Sequence, residues 1–263
     1  MQSILITGAY GGMGRKTAEH LRSRGFRIFA LDRKTGEEEE NLIPITADVT
    51  DPKSIEKAVE IVKERTDTLA AVIHFAGIYM LDSLAEIPRE DFRRVFEINV
   101  FGAFEINRAF LPLMKSGGRI IITTSELAPL APLPFTGLYA VTKGALDKYA
   151  YSLCMELQLL GISVSVLRAG AVDTDMLGVS TSALDRFVEE TGLYACNAER
   201  FRKIVDSVEA KRIPTEKIAR KTEKILMAKR PRFAYAINRN PLLLLLNALP
   251  KTAQLAVIRR ILK

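Results

Sequence analysis

Four glycines stand within seven residues, at Gly8, Gly11, Gly12 and Gly14, between a run of β-formers, Ile4-Leu5-Ile6-Thr7, and a helical pattern that begins at about residue 12. Each glycine costs backbone entropy, so a chain that gathers them at a strand-to-helix junction gives up stability for a backbone without Cβ atoms. Such a backbone can be approached closely, and the first turn of the following helix offers free N–H groups and the positive end of its dipole. Strand, Gly8-x3-Gly12-x-Gly14 and helix, in that order, fit the pyrophosphate of a dinucleotide. Taken alone, a glycine turn also serves simply to join a strand tightly to a helix. Its place after the first strand of an alternating chain favours the functional reading.

That alternation runs through the sequence. Strand-like runs cover residues 3–7, 27–31, 43–47, 70–75, 119–124, 162–167 and, late in the chain, 232–237, and helical patterns cover about 12–24, 53–65, 89–114 and 139–160. Most of the strands are short continuous Val/Ile/Leu-rich runs, which suits strands buried on both faces of a parallel sheet. Right-handed βαβ units follow, and with them an α/β fold of Rossmann type: a doubly wound parallel sheet with helices on both faces. No repeat, low-complexity linker or composition break divides the chain, so residues 1–263 are expected to form one domain, with 173–215 as a lid and 239–263 as an apolar helical tail.

Composition narrows the function classes. The net charge is +7, but both signs are interspersed apart from the acidic run Glu37 to Glu40, so the basic residues read as a solvated surface and no nucleic-acid partner is expected. Two cysteines, Cys154 and Cys196, and two histidines, His20 and His74, supply neither a zinc site of the usual kind nor a disulfide framework. MQSILITG passes straight into structure without a basic, cleavable leader, which leads to the expectation of a cytoplasmic protein. The apolar run PLLLLLNAL at 241–249 is far short of the roughly 20 residues a spanning helix needs. It can pack or touch a membrane peripherally, not cross one.

Two further positions carry chemistry. Asp32, at the end of the second strand, falls where a carboxylate can accept hydrogen bonds from the adenosine ribose, and its charge would repel a 2′-phosphate. This argues for NAD over NADP, against the presence nearby of Arg33, Arg15 and Lys16, any of which could reach a phosphate. Tyr139 and Lys143 in YAVTK share one helix face at i and i+4. A phenol with an ordinary pKa of roughly 10 is a poor base near neutrality, and an adjacent ammonium is expected to draw it down.

In their order, TGAYGGMG, ADV ending at Val49, Ala76-Gly77, Ile98-Asn99, TTS ending at Ser125 and YAVTK resemble the short-chain dehydrogenase/reductase family, over a span from Thr7 to Thr174. The resemblance implies an oxidoreductase that moves a hydride between a nicotinamide and a carbon bearing oxygen. It implies a tetrad: Tyr139 as acid/base, Lys143 depressing its pKa and holding the nicotinamide ribose, Ser125 on the substrate oxygen, and Asn99 kinking its helix and holding a relay water. Cofactor contacts are implied for Gly8, Tyr10, Gly11, Gly12, Met13, Gly14, Asp32, Arg33, Asp48, Val49, Ala76, Gly77, Asn99, Tyr139, Lys143, Gly170, Val172 and Thr174, with Asp48 at the adenine and Val172 and Thr174 on the nicotinamide side. No metal is implied. The resemblance implies a homodimer or homotetramer, and dimers formed through the helices at about 89–114 and 139–160 are usual in the family.

The chain departs from the family pattern twice. Ala169 replaces a proline in AGAVDT, implying a less rigid loop, and HFAG at 74–77 stands where two asparagines are usual. His74 reads as a satisfied buried group rather than a catalyst. The loop ELAPLAPLPFTGL at 126–138 is stiff, apolar and almost uncharged, and Leu184, Phe187, Val188, Leu193 and Tyr194 of the lid are candidates either for the pocket or for plain core. The tail KRPRFAYAINRNPLLLLLNALP loosely resembles the end of the hydroxysteroid and retinol dehydrogenases. A lipophilic alcohol or ketone, hydroxysteroid- or retinoid-like, is therefore the expected substrate. The rivals are a ketoreductase or polyol dehydrogenase for small polar or carrier-bound substrates, and a non-catalytic dinucleotide sensor, which would be expected to have lost Ser125, Tyr139 or Lys143.

Overall fold

The computed structural model describes residues 1–208 and 212–263. Within these, the buried aliphatic runs form strands β1 (Ser3–Thr7), β2 (Arg27–Asp32), β3 (Leu42–Thr46), β4 (Leu69–His74), β5 (Met114–Ser125), β6 (Ser163–Ala169) and β7 (Ala234–Ile237). They make one sheet in the order β3-β2-β1-β4-β5-β6-β7, with every neighbouring pair parallel. This is the Rossmann-type doubly wound sheet the alternation predicts. Strand order reverses between β1 and β4, and the crevice beyond their carboxyl ends is where such sheets take ligands.

The sheet is buried on both faces because its side chains alternate. Leu5 faces a core built with Ile55, Ala58 and Val62 of α2 (Pro52–Arg65), Ile106 and Phe110 of α4 (Gly102–Phe110), and Leu146 and Ala150 of α5 (Gly137–Leu157). Its neighbours Ile4 and Ile6 face a second core with Ala18 and Leu21 of α1 (Gly12–Ser23) and Ile218, Ile225 and Leu226 of α8 (Thr215–Leu226). Phe29 and Phe110 are fully buried, and each contributes roughly 1.5–3 kcal/mol through the area it removes from water. Asp51 caps α2 by accepting from the Lys53 N–H at 3.1 Å, with Pro52 at the first helical position.

The structure differs from the single helix expected over 89–114, adds one helix and decides one open alternative. The helix anticipated over 89–114 is divided into α3 (Arg89–Phe96), a π-helical turn (Glu97–Phe101) and α4, with buried Asn99 inside the turn. A π turn inserts one extra residue into the helix, and it falls where the kink at Asn99 was expected. Helix α8 was not anticipated at all. The lid contains α6 (Asp175–Glu190) and α7 (Ala195–Val208), while 209–211 lie outside the described residues. Leu184 and Phe187 join Phe135, Leu81, Ala198 and Phe201 in a third core, with Val188 and Tyr194 packed against it. Leu193 is exposed. None of these five lines a cavity at the site.

Candidate active site

The glycine turn sits at the reversal point. Gly8 has φ of 65°, and a Cβ there would lie 2.5 Å from the Ala76 nitrogen, so the turn passes over the end of β4 with no room for a side chain. Gly11 gives α1 no side-chain cap, and the first N–H groups of α1 are left to the crevice. A cleft of about 720 Å³ opens there, lined by Gly8, Tyr10, Gly11, Gly12, Met13 and Gly14 from the turn. Asp32, Arg33, Asp48 and Val49 line its far side, and Ala76, Gly77 and Thr174 close the near one. The backbone cradle, the free N–H groups and the carboxylate at the end of β2 together fit a dinucleotide.

Asp32 is held in place by two backbone donors, the Tyr10 N–H at 2.9 Å on Oδ2 and the Arg33 N–H at 2.7 Å on Oδ1. The carboxylate thus fastens the glycine turn to β2 as well as facing the cleft. Of the three cations expected to compete with it, Arg15 and Lys16 turn to Glu19, at 3.1 and 2.9 Å, and only Arg33 lines the cleft. Burial alone would raise the Asp48 carboxyl, but hydrogen bonds from the Thr50 N–H and hydroxyl, with Arg33 nearby, hold it below the usual carboxylate range.

A second cavity of about 390 Å³ shares Met13, Phe75, Gly77, Ile78 and Thr174 with the cleft, so the two adjoin. Ser125, Tyr139, Lys143, Gly170 and Val172 all line it. Ser125 ends β5, and Tyr139 and Lys143 lie one turn apart on α5. That helix is clamped to β6 by Asp147, whose carboxylate accepts from Arg168 Nε at 2.9 Å and Nη2 at 2.7 Å. Lys143 is buried, donates to the Thr123 carbonyl at 3.3 Å and lies 5.6 Å from the centre of the Tyr139 ring. Burial lowers its pKa to about 8. Burial and the neighbouring Tyr79, whose ring centre is 4.9 Å away, push the Tyr139 phenol up, and a hydrogen bond from Ser125 pulls it partly back. The direction is opposite to the lowering expected from Lys143, because desolvation of the phenolate dominates.

Asn99 stands one layer behind the cavity. Its Oδ1 accepts from the Ile78 N–H at 2.8 Å, and its Nδ2 donates to the Ile78 carbonyl at 3.0 Å and to Thr142 Oγ1 at 3.2 Å. The π turn is thereby tied both to the segment after β4 and to α5 between Tyr139 and Lys143. His74, at the end of β4, is buried and bonded through Nε2 to Asn107 Oδ1 at 2.8 Å, and Asn107 Nδ2 donates to the Tyr149 hydroxyl at 3.1 Å. Burial lowers the His74 pKa to about 4, so the imidazole is neutral and its Nε2–H donates. This chain links β4, α4 and α5 where the usual asparagines are missing.

The sequence does not advertise the cavity's polar corner. The loop expected to be almost uncharged places Glu126 inside the cavity, buried, and Asn238, Arg239 and Asn240 line the same wall. The signal was available in one place only, the acidic residue directly after Ser125. Gly170 packs so tightly beneath the Asn238 carbonyl that any Cβ would collide with it, a close approach that requires glycine there.

The sequence profile of short chain dehydrogenases matches residues 2–185. The chain belongs to the short chain dehydrogenase family. Estradiol 17-beta-dehydrogenase 2 of Mus musculus is 34% identical to this short-chain dehydrogenase over 189 residues, covering 67% of this chain and 50% of that one. The alignment therefore spans half the length of that relative. Among solved structures, 3-ketoacyl-(acyl-carrier-protein) reductase from Brucella melitensis complexed with NADH superposes at a TM-score of 0.74 with 20% identity, covering 90% of this chain and 96% of that one. A short chain dehydrogenase from Burkholderia cenocepacia in complex with NADP gives 0.74 with 22% identity over the full length of both chains. NAD(P) is the cofactor class consistent with this family and with the two adjoining cavities. No described helix of this short-chain dehydrogenase is long and apolar enough to cross a membrane.

Proposed function

We propose that this short-chain dehydrogenase interconverts a lipophilic secondary alcohol and its ketone, with NAD(H) preferred over NADP(H). The observation that carries the reading is the convergence of Ser125, Tyr139 and Lys143 on one cavity whose other walls include Tyr79, Leu127, Leu133, Leu242 and Leu243. Asp32 supports the cofactor preference, because its charge faces the cleft while Arg15 and Lys16 are turned to Glu19. Similarity to an estradiol dehydrogenase agrees with a lipophilic substrate.

Bound in the cleft, NAD(P) supplies the hydride exchange. The protein moves the proton. In reduction the Tyr139 hydroxyl gives its proton to the substrate oxygen, and in oxidation the phenolate takes it from the alcohol. The Ser125 hydroxyl donates to the same oxygen and stabilises the charge that develops there. The Lys143 ammonium balances the phenolate, and Asn99 holds Ile78 and α5 in register around them. Burial raises the phenol, so the exchange depends on Lys143 being charged when turnover occurs. A rigid ring system that buries a few hundred Å² at roughly 25 cal/mol per Å² binds in the micromolar range once association costs are met.

The test is a turnover panel of hydroxysteroids, retinoids, sugars and ketoacyl thioesters, each with both cofactors. The reading expects the highest kcat/KM on the first two classes with NAD(H). Turnover confined to sugars or to carrier-bound ketones would replace it with the polar-substrate reading, for which Glu126, Arg239 and Asn240 would supply the partners.

A further inference from the structure

Glu223 is the last acidic residue of the chain. Residues 224–263 hold nine lysines and arginines and no aspartate or glutamate, which more than accounts for the net charge of +7, so residues 1–223 are slightly acidic. The same segment carries the most apolar helix of the protein on its outside. Leu242 and Leu245 of α9 (Pro241–Ala248) stand at i and i+3, Leu249 follows directly after the helix, and all three are exposed, Leu245 by 67%. The other side of α9 is fastened inward: Asn247 Oδ1 accepts from the Ala131 N–H at 2.6 Å, and Leu243 lines the substrate cavity. Helix α10 (Lys251–Leu262) is built alike. Its inner side is anchored through buried Leu262, whose carbonyl accepts from Asn197 Nδ2 at 2.7 Å. Its outer side carries Leu255, 70% exposed, followed by Arg259, Arg260 and Lys263 around a shallow groove.

We propose that α9 and α10 form a monotopic docking surface for the headgroup layer of an anionic phospholipid bilayer. Exposed leucines on two helices that carry no carboxylates of their own, with cations on α10, match a surface that is negative at the headgroups and apolar just below. Charge complementarity favours the bilayer over a second copy of the chain, because two such faces would bring like charges together. Leu242 both lines the cavity and is exposed, so docking would seat the cavity mouth at the lipid boundary. The proposal does not depend on the identity of the substrate.

Sedimentation of the full-length protein with vesicles of phosphatidylcholine containing 30% phosphatidylserine, against phosphatidylcholine alone, tests it. Binding is expected to the anionic vesicles only and to weaken steeply with salt. Replacing each leucine in L245E/L255E should lower partitioning about tenfold or more, and each cation removed in R259Q/R260Q by about fivefold. Neither pair lines the substrate cavity, so turnover of a soluble substrate should survive in both, which separates failure of docking from failure of the proposed activity. Equal binding to both vesicle types, no binding to either, or an unchanged isotherm for both variants would overturn the proposal. So would light scattering that shows a wild-type dimer converted to monomer by L245E/L255E in the absence of vesicle binding.

Discussion

Glu126 Oε2 accepts a 2.6 Å hydrogen bond from the backbone N–H of Asn240, the residue that caps α9 through its own Oδ1 on the Leu242 N–H at 2.9 Å. The position after Ser125 is thereby joined to the start of the tail, and the wall formed by Pro241, Leu242 and Leu243 depends on that joint. Burial raises the Glu126 carboxyl, while the Asn240 N–H and Arg239 pull it down.

Glu126→Ala should release this wall without touching the dinucleotide cleft. The expected result is a KM for a lipophilic substrate raised about 5- to 30-fold, the equivalent of roughly 1–2 kcal/mol for one lost charge-assisted hydrogen bond, with the KM for NAD unchanged. Glu126→Gln keeps an acceptor and should recover most of the loss. Because the folded-state pKa is raised, ionisation of Glu126 costs stability as the pH rises above the ordinary carboxylate value. The Gln variant should therefore gain Tm relative to wild type at pH 7 and lose that gain near pH 4.

Lys143 is predicted to be required for turnover and costly for stability. Its pKa falls from 10.5 to about 8 through burial, so below pH 8 the folded protein carries an ammonium that would be better solvated in the unfolded chain. At about 1.4 kcal/mol per unit, Lys143→Met should be more stable by up to about 3 kcal/mol at pH 7, with the gain fading as the pH rises from about 8 to 10.5. Denaturant titrations at pH 7 and pH 10 measure this. Turnover should be abolished in the same variant, and Tyr139→Phe should lower kcat by about 10²–10⁴ while dinucleotide affinity stays within about twofold. A Phe variant with retained turnover would remove Tyr139 from its role.

Asp32 fastens the glycine turn to β2 and, in the proposed reading, sets the cofactor preference, and a substitution should show both. Asp32→Asn removes the repulsion of a 2′-phosphate beside Arg33, which should move the NADP-to-NAD ratio of kcat/KM about tenfold or more toward NADP. It also places an amide N–H₂ where the Tyr10 and Arg33 N–H groups need acceptors, so Tm should fall by a few degrees for a cost of roughly 1 kcal/mol. Wild-type protein faster with NADPH than with NADH at equal concentration would contradict the reading of this residue.

His74 predicts an acid limit to stability. Its folded pKa of about 4 lies below the unfolded value near 6.5, so its contribution is complete above pH 6.5 and is lost as the pH falls toward 4. Between pH 7 and pH 5 this amounts to about 2 kcal/mol. His74→Asn should flatten that part of the stability profile, whatever its stability at pH 7.

The parts of the fold legible in the sequence are those with a short, strict pattern. Seven strand-like runs and the glycine turn that follows the first of them each needed only a few residues to declare themselves, whereas the pair Tyr139–Lys143 carried weight only in the company of the other motifs. Helix α8 was missed because its face, Ile218, Ala219, Thr222, Ile225 and Leu226, is spaced among six charged residues and follows directly on the lid segment. Apolarity says that a side chain is buried, not where: Leu184 and Phe187 satisfy Phe135, and it is Leu242 and Leu243 that join Leu127 and Leu133 in the pocket wall. Direction of a pKa shift was also beyond the sequence, since it depends on how much water the fold removes from Tyr139.

Strand β7 leaves the sheet beside β6 and delivers Asn238 to Leu243 directly onto the cavity, well past the residues that carry the nucleotide turn and the proton-transfer group. In the proposed reading, one wall of the substrate cavity is thus written in a stretch of the polypeptide separate from Ser125, Tyr139 and Lys143, joined to it at Gly170 and Glu126. Such a layout behaves as an exchangeable cassette: segment 238–263 can diverge, or be grafted from a relative, and redraw what is admitted while the catalytic pH profile is inherited unchanged from the upstream stretch.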